Sequence, residues 1–194
     1  MIPENLNNVI KFINQFVDFE EQELNAIQDN IEFIHLDKNE ILIDEGQVAR
    51  EIVFTNKGYL RVFYNYDGEE ITRDITPLHS FATALPSFVS QTPSFEIISA
   101  ITDCELITIS KDNLECLYNR YQKWERLGRR IIEEMFVESQ HRIYSFITET
   151  AETRYKRLLK QYPEMIQDVP LKYIAGFLGI KLQSLSRLRK TINW

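Results

Sequence analysis

Six polar side chains crowd into one short stretch near the end of the chain: Lys181, Gln183, Ser184, Ser186, Arg187 and Lys190. Gln can bond bidentately to adenine, and Arg to guanine, in the major groove of duplex DNA. Lys and Ser are typical partners of the phosphates. Side chains with this chemistry read DNA only if one rigid element presents them together.

The surrounding sequence, "PLKYIAGFLGIKLQSLSRLRK", predicts that element. Pro170 suits the first turn of a helix, where its missing N–H costs nothing. Leu171, Ile174, Ala175 and Leu178 form one apolar side. Gly179 accepts the left-handed conformation needed for a sharp turn. Ile180 enters the core at the turn, and Leu185 and Leu188 give the next helix its apolar side. Ala175 keeps the crossing of the two helices close. The pattern is that of a helix-turn-helix. An ordinary corner between two core helices would share the apolar spacing, but it predicts no particular chemistry on the outer face.

Charge sets this ending apart. The 194-residue chain carries a net −7. Residues 150–194 hold nine Lys/Arg against three Asp/Glu, and residues 1–149 hold thirteen against twenty-six. A basic tail on an acidic body suggests a partner with phosphates. The hydrophobic content of 44% supports a real core and argues against disorder. No run has membrane-helix length, and the start has no signal-peptide pattern. Two cysteines, Cys104 and Cys116, make no disulfide framework. A cytoplasmic protein without a membrane partner is expected.

Upstream, residues 3–30 read as helical, with a second short helix at 20–29. From Ile31 to Ser110 short runs rich in Ile, Val, Phe, Tyr and Thr alternate with turn residues. Asp67-Gly68 is the sharpest hairpin signal, because both residues tolerate positive φ. Many short strands at close spacing predict a barrel or jelly roll. Ser110 then caps a helix. A longer helix over about 124–148 has apolar residues sweeping roughly 180°, more than one buried face requires. A second copy of the chain is the expected cover, with Leu127, Ile131 and Met135 at the interface. A further helix is expected at 151–161, ended by Pro163.

This order of elements resembles the CRP/FNR family of bacterial transcription regulators. The most specific parts are Gly46, Gly58 with "YLRVF", "CELITIS" over Cys104–Ser110, and "IAGFLGIKLQSLSR". The resemblance implies an α+β fold: an N-terminal β-roll of the cyclic-nucleotide-binding type with flanking helices, a long dimerisation helix and a C-terminal winged helix-turn-helix. The matching divisions are a sensor over 1–122, a dimerisation helix over 123–149 and a DNA-binding part over 150–194. The family's base-reading positions fall on Leu182, Gln183 and Arg187. Leu182 replaces a polar reader and suits a thymine methyl. The expected partners are a double-stranded operator, a homodimeric copy, RNA polymerase and a small-molecule effector of unspecified chemistry.

The sensor departs from the family. Nucleotide-binding members hold the cyclic phosphate and ribose with a Gly-Glu cassette and an Arg. Here the Gly falls on Thr83, the Glu on Ala84, the Arg on Ser94 and the following Ser on Phe95. Cyclic AMP is therefore not expected to bind. The remaining candidate pocket is Phe81, Thr83, Ala84, Leu85, Ser94 and Phe95; its rings, with Phe88, either receive an apolar ligand or fill the space themselves, and filling is the favoured expectation. Two cysteines are too few for the family's iron–sulfur cluster. His35, His79 and His141 are scattered, so no metal or other cofactor is expected, and no catalytic residue stands out. Two rivals remain: a cupin-like metal-dependent enzyme, and an interaction module that has lost DNA binding. The missing His-x-His pair weighs against the first, and the basic, Gln-bearing tail against the second.

Overall fold

The computed structural model describes residues 4–191. A 3-10 turn over Glu4–Leu6 leads into α1 (Asn7–Ile13) and α2 (Glu21–Gln28). The strands are β1 (Ile31–Leu36), β2 (Ile41–Ile43), β3 (Glu51–Lys57), β4 (Leu60–Tyr66), β5 (Glu69–Thr76), β6 (Phe81–Ala82), β7 (Ile97–Ala100) and β8 (Cys104–Ser110), with α3 (Leu85–Ser90) between β6 and β7. Six helices follow: α4 (Lys111–Arg120), α5 (Gln122–Thr148), α6 (Ala151–Gln161), α7 (Pro163–Asp168), α8 (Leu171–Phe177) and α9 (Leu182–Thr191).

The strands form two antiparallel four-stranded sheets, ordered β1-β8-β3-β6 and β2-β7-β4-β5. Their alternating residues meet in one core, including Leu36, Val53, Leu60, Val62, Ile98 and Leu106. This is the expected β-roll in an α+β fold. Asp67 (φ 51°) and Gly68 (φ 79°) join β4 to β5, the paired positive φ of a tight hairpin turn. Ser110 caps α4, its Oγ accepting from the Asn113 N–H at 3.1 Å. α5 spans about 40 Å at 1.5 Å per residue.

Several expectations change. The N-terminal helix is short and stops at Ile13. Pro163 does not merely end α6; it opens α7, where a proline at the first helical position gives up no hydrogen bond. β6 and α3 are additions. Among the described residues no strand follows Ser110, so the wing implied by the resemblance has no counterpart there; residues 192–194 lie outside that description.

The cores cross the expected sequence divisions. Leu6, Val9 and Ile13 pack with Phe54, Ile107, Trp124 and Leu127, joining N-terminal helices, strands and α5. A second shared core joins Tyr59, Ile75 and Ile101 of the strand region to Tyr155, Leu158, Met165, Ile174, Ala175, Leu178 and Leu185. The C-terminal helices therefore pack directly on the β-roll.

Candidate nucleic-acid interface

α8 ends where the sequence demands. The Gly179 N–H donates to Gly176 O at 2.9 Å and the Ile180 N–H to Ala175 O at 3.0 Å. These are the paired bonds of a Schellman cap, with glycine at the position that must go left-handed. Gly179 has φ +67°, and a Cβ built on it would lie 2.8 Å from the Phe146 ring of α5. Ile174 and Leu185, both 0% exposed, fill the space between the two helices.

On α9 the polar residues face outward. Lys181, Gln183, Ser184, Ser186, Arg187 and Lys190 are exposed, and Leu182 is 45% exposed beside them. Gln183, Arg187 and Lys190 follow i, i+4, i+7 spacing and so share a face. Ser186 Oγ donates back to Leu182 O at 3.0 Å. Among the described residues, no ion pair engages Lys181, Arg187 or Lys190. The α9 N–H groups and these cations together offer a face suited to anionic oxygens. Arg189, in contrast, is half-buried and lines a groove with Asp168 and Pro170.

Two arginines hold this pair of helices to the rest of the chain. Arg142 of α5 donates to Arg73 O and Phe177 O, both at 2.8 Å. Arg154 of α6 donates to Leu178 O at 2.9 Å and Glu149 O at 2.8 Å. Both guanidinium groups lie over the Phe146 ring, at 5.0 and 4.8 Å. Burial pushes the Arg142 pKa below its ordinary value. On the other side of α8, Tyr173 lies over Arg61 of β4 at 4.2 Å, and a Cβ at Gly176 would be 3.0 Å from Thr72 of β5.

The candidate ligand pocket does not assemble. Phe81 packs edge-on against Phe12 and Phe54, outside the roll. Phe81, Thr83 and Leu85 line an apolar cavity of about 90 Å³ beneath α5, with Tyr118, Ile131 and Met135. Ala84 points the other way, into the roll core. Ser94 is consumed locally: its Oγ donates to Glu96 O and accepts from the Glu96 N–H. Phe95 is exposed and stacks on Tyr64 at 5.9 Å. Alternation from β6 onward separates Phe81, Thr83 and Leu85 from Ala84, while Ser94 and Phe95 lie beyond α3 on the segment that leads into β7.

At the foot of this region sits a group that motif reading passes over. Glu96 is 3% exposed, with one oxygen 2.7 Å from Arg73 Nε and 3.3 Å from the Tyr64 hydroxyl. Its other oxygen is buried without a partner. Burial raises its pKa, and the Arg73 charge only partly offsets this. The signal was available: in "FEIISA" Glu96 shares period-two register with Ile98 and Ala100, which are inward-facing.

The expected interface residues on α5 also need correction. Leu127, at 4% exposure, is buried in the chain's own core with Trp124 and Ile13. Ile131 and Met135 are half-buried on the same inward side. α4, through Leu114 and Tyr118, covers that face together with strand residues and with Ile13 of α1 and Ile27 of α2. The open stripe is Ile132, Phe136, Ile143 and Ile147; Phe136 is 63% and Ile147 78% exposed. Among the described residues no group of three or more His, Cys, Asp or Glu comes together to hold a metal, and no helix is long and apolar enough to cross a membrane.

Residues 33–121 match the family model of the cyclic nucleotide-binding domain. Among curated proteins none matches this sequence. The fold is similar to the catabolite activator protein of Thermus thermophilus, at 14% identity over 91% of this chain and 84% of that one, with a TM-score of 0.58. It is similar to the c-di-GMP responsive global regulator CLP of Xanthomonas campestris, at 14% identity over 89% and 91%, TM-score 0.66. It is also similar to a CooA mutant from Carboxydothermus hydrogenoformans, at 15% identity over 98% and 85%, TM-score 0.66. A cyclic-nucleotide-binding-type β-roll, followed by a long helix and a helical ending, is the architecture this chain has in common with them.

Proposed function

We propose that the protein is a sequence-specific DNA-binding transcription regulator that acts as a homodimer and does not respond to cyclic AMP. The reading is of a non-enzyme. The observation that carries it is the exposed face of α9, where Gln183 and Arg187 stand with Lys181 and Lys190 beyond a glycine turn, while Ile174 and Leu185 between the two helices are fully buried. In the docking this supports, α9 enters the major groove. Gln183, Arg187 and Leu182 meet base edges, while Lys181, Ser184 and Lys190 meet phosphates, and Ser186 joins them when its hydroxyl turns away from Leu182 O.

The open α5 stripe supports the homodimer. Ile132, Phe136 and Ile143, at steps of four and seven, fit the core positions of a coiled-coil seam, and Ile147 extends the stripe one residue off that register. A second copy of α5 covers it, and the two α9 helices then stand one DNA turn apart, about 34 Å. Indifference to cyclic AMP rests on charge. Where the resemblance puts the phosphate anchor, Ser94 is spent on backbone, Phe95 is stacked away and a buried carboxylate, Glu96, follows. The cation at hand, Arg73, is already engaged by Glu96, so its charge is balanced before a phosphate arrives.

Selection of bound fragments from a genomic library at fixed salt tests the reading. Enrichment of fragments sharing a two-fold site, with affinity falling steeply as salt rises, is expected. No enrichment, or affinity indifferent to salt, would overturn it. Titration calorimetry with cyclic AMP should show no heat of binding at micromolar concentrations.

A further inference from the structure

The register of β5 breaks at one residue. Val62 of β4 pairs with Asp74, but Phe63 pairs with Thr72, so Arg73 is left over as a bulge. A bulged residue is released from the ladder and its groups are re-aimed. The Arg73 side chain goes to Glu96, Nε to Oε1 at 2.7 Å, as an ion pair rather than an aligned hydrogen bond. Its carbonyl goes outward and accepts from Arg142 Nη2 at 2.8 Å. The same nitrogen donates at 2.8 Å to the carbonyl of Phe177, the last residue of α8. The Arg142 guanidinium also lies 4.0 Å over the Phe177 ring. Among the described residues no carboxylate lies within 4 Å of Arg142. Its direct partners are carbonyl oxygens and rings, and the Asp74 carboxylate acts on it only from farther away.

Three contacts thus run from the interior of the β-roll to the end of α8, through two residues. We propose that Arg142 is a positioning residue that couples the Glu96–Arg73 pair to the helix-turn-helix, so that the state of that pair sets how firmly α8 is held. The pair can serve as an input because it is poorly satisfied: Glu96 keeps one buried oxygen without a partner. A proton or a hydrogen-bond donor at that oxygen weakens its claim on Arg73. The bulge then relaxes, and the Arg73 carbonyl shifts against Arg142. Arg142 transmits the shift because one nitrogen serves both carbonyls. The proposal rests on the reading of α9 as the DNA-reading element, but the coupling itself can be measured without DNA.

The test is a double-mutant cycle on the full chain, using Glu96→Gln, Arg142→Lys and the pair of them. Amide hydrogen exchange is followed at Leu178, Gly179 and Ile180, with Leu106 and Thr108 of β8 as the reference. Glu96→Gln is expected to change exchange at the turn about tenfold when Arg142 is present and less than about twofold when it is Lys, with β8 unchanged. Arg73→Lys, which keeps the charge but shortens the reach to Glu96, is a second probe of the same link and should act like Glu96→Gln. An equal effect of Glu96→Gln in both backgrounds, no effect at the turn in either, or a change spread evenly over β8 would overturn the coupling. The same proteins are assayed against a fragment selected by the wild type. If the wild type selects none, the DNA-binding reading fails, and the exchange cycle still decides the link.

Discussion

Gly179 meets two demands at once. It takes φ +67°, and it leaves room for the Phe146 ring. Gly179→Ala should lower stability by about 2 kcal/mol from the left-handed backbone alone, before any movement of the ring. Urea denaturation checks this, and Phe146→Leu should recover part of the loss by removing the ring. The turn was legible in the sequence because only glycine suits the position. Its second demand was not, since Phe146 lies on a different helix. Glu96 gives a pH signature. Its pKa is raised in the fold, so the folded state binds the proton more readily than the unfolded chain. Its contribution to stability is full below the ordinary carboxylate value and is lost as pH rises through the folded value. Glu96→Gln should therefore flatten the rise in stability on acidification from pH 7 towards pH 4. On the proposed reading face, Lys190→Ala should weaken binding to all sequences and reduce the salt slope by about one. Arg187→Ala should instead relax base preference at one position of the site.

At the scale of the element, α5 shows what periodicity leaves open. Its apolar residues cover about half the circumference, and no local rule says which half faces inward. Long-range packing settles it: α4, the strands and the N-terminal helices together enclose Leu127, Ile131 and Met135. Leu127→Ala should cost about 2–5 kcal/mol of folding stability and leave the oligomeric state unchanged. Ile132→Asp or Phe136→Asp should split the proposed dimer with little loss of fold, as read by analytical ultracentrifugation. A dimer that survives both would rule out that seam. The main strands were readable because alternation and turn residues agree, as at Asp67-Gly68. β6 and α3 were not: two residues make too short a pattern, and Pro86 masks a helix whose first turn it occupies.

The molecule as a whole does not divide where its sequence changes character. The charge contrast between residues 1–149 and 150–194 is real, yet Tyr59, Ile75 and Ile101 share a core with the C-terminal helices. Denaturation followed by circular dichroism and by the fluorescence of buried Trp124 should give one coincident transition. A fragment of residues 150–194 alone should show much less helix than its share of the whole, because its core is then open on one side. Two separate transitions, or a well-folded fragment, would contradict this. Long-range packing of this kind leaves little trace in a sequence, since each of the three residues reads locally as an ordinary strand or turn position.

α8 and α9 face opposite evolutionary prospects. α8 is committed on several sides: to Leu185 within the pair, to Thr72 and Arg61 on the roll, and to Arg142 and Arg154 at its end. The outward side chains of α9 rest on little else in the chain. Gln183, Arg187 and Lys190 are therefore free to vary at almost no structural cost, and a lineage or an engineer can retarget the protein by rewriting one helix face while the frame that aims it stays fixed.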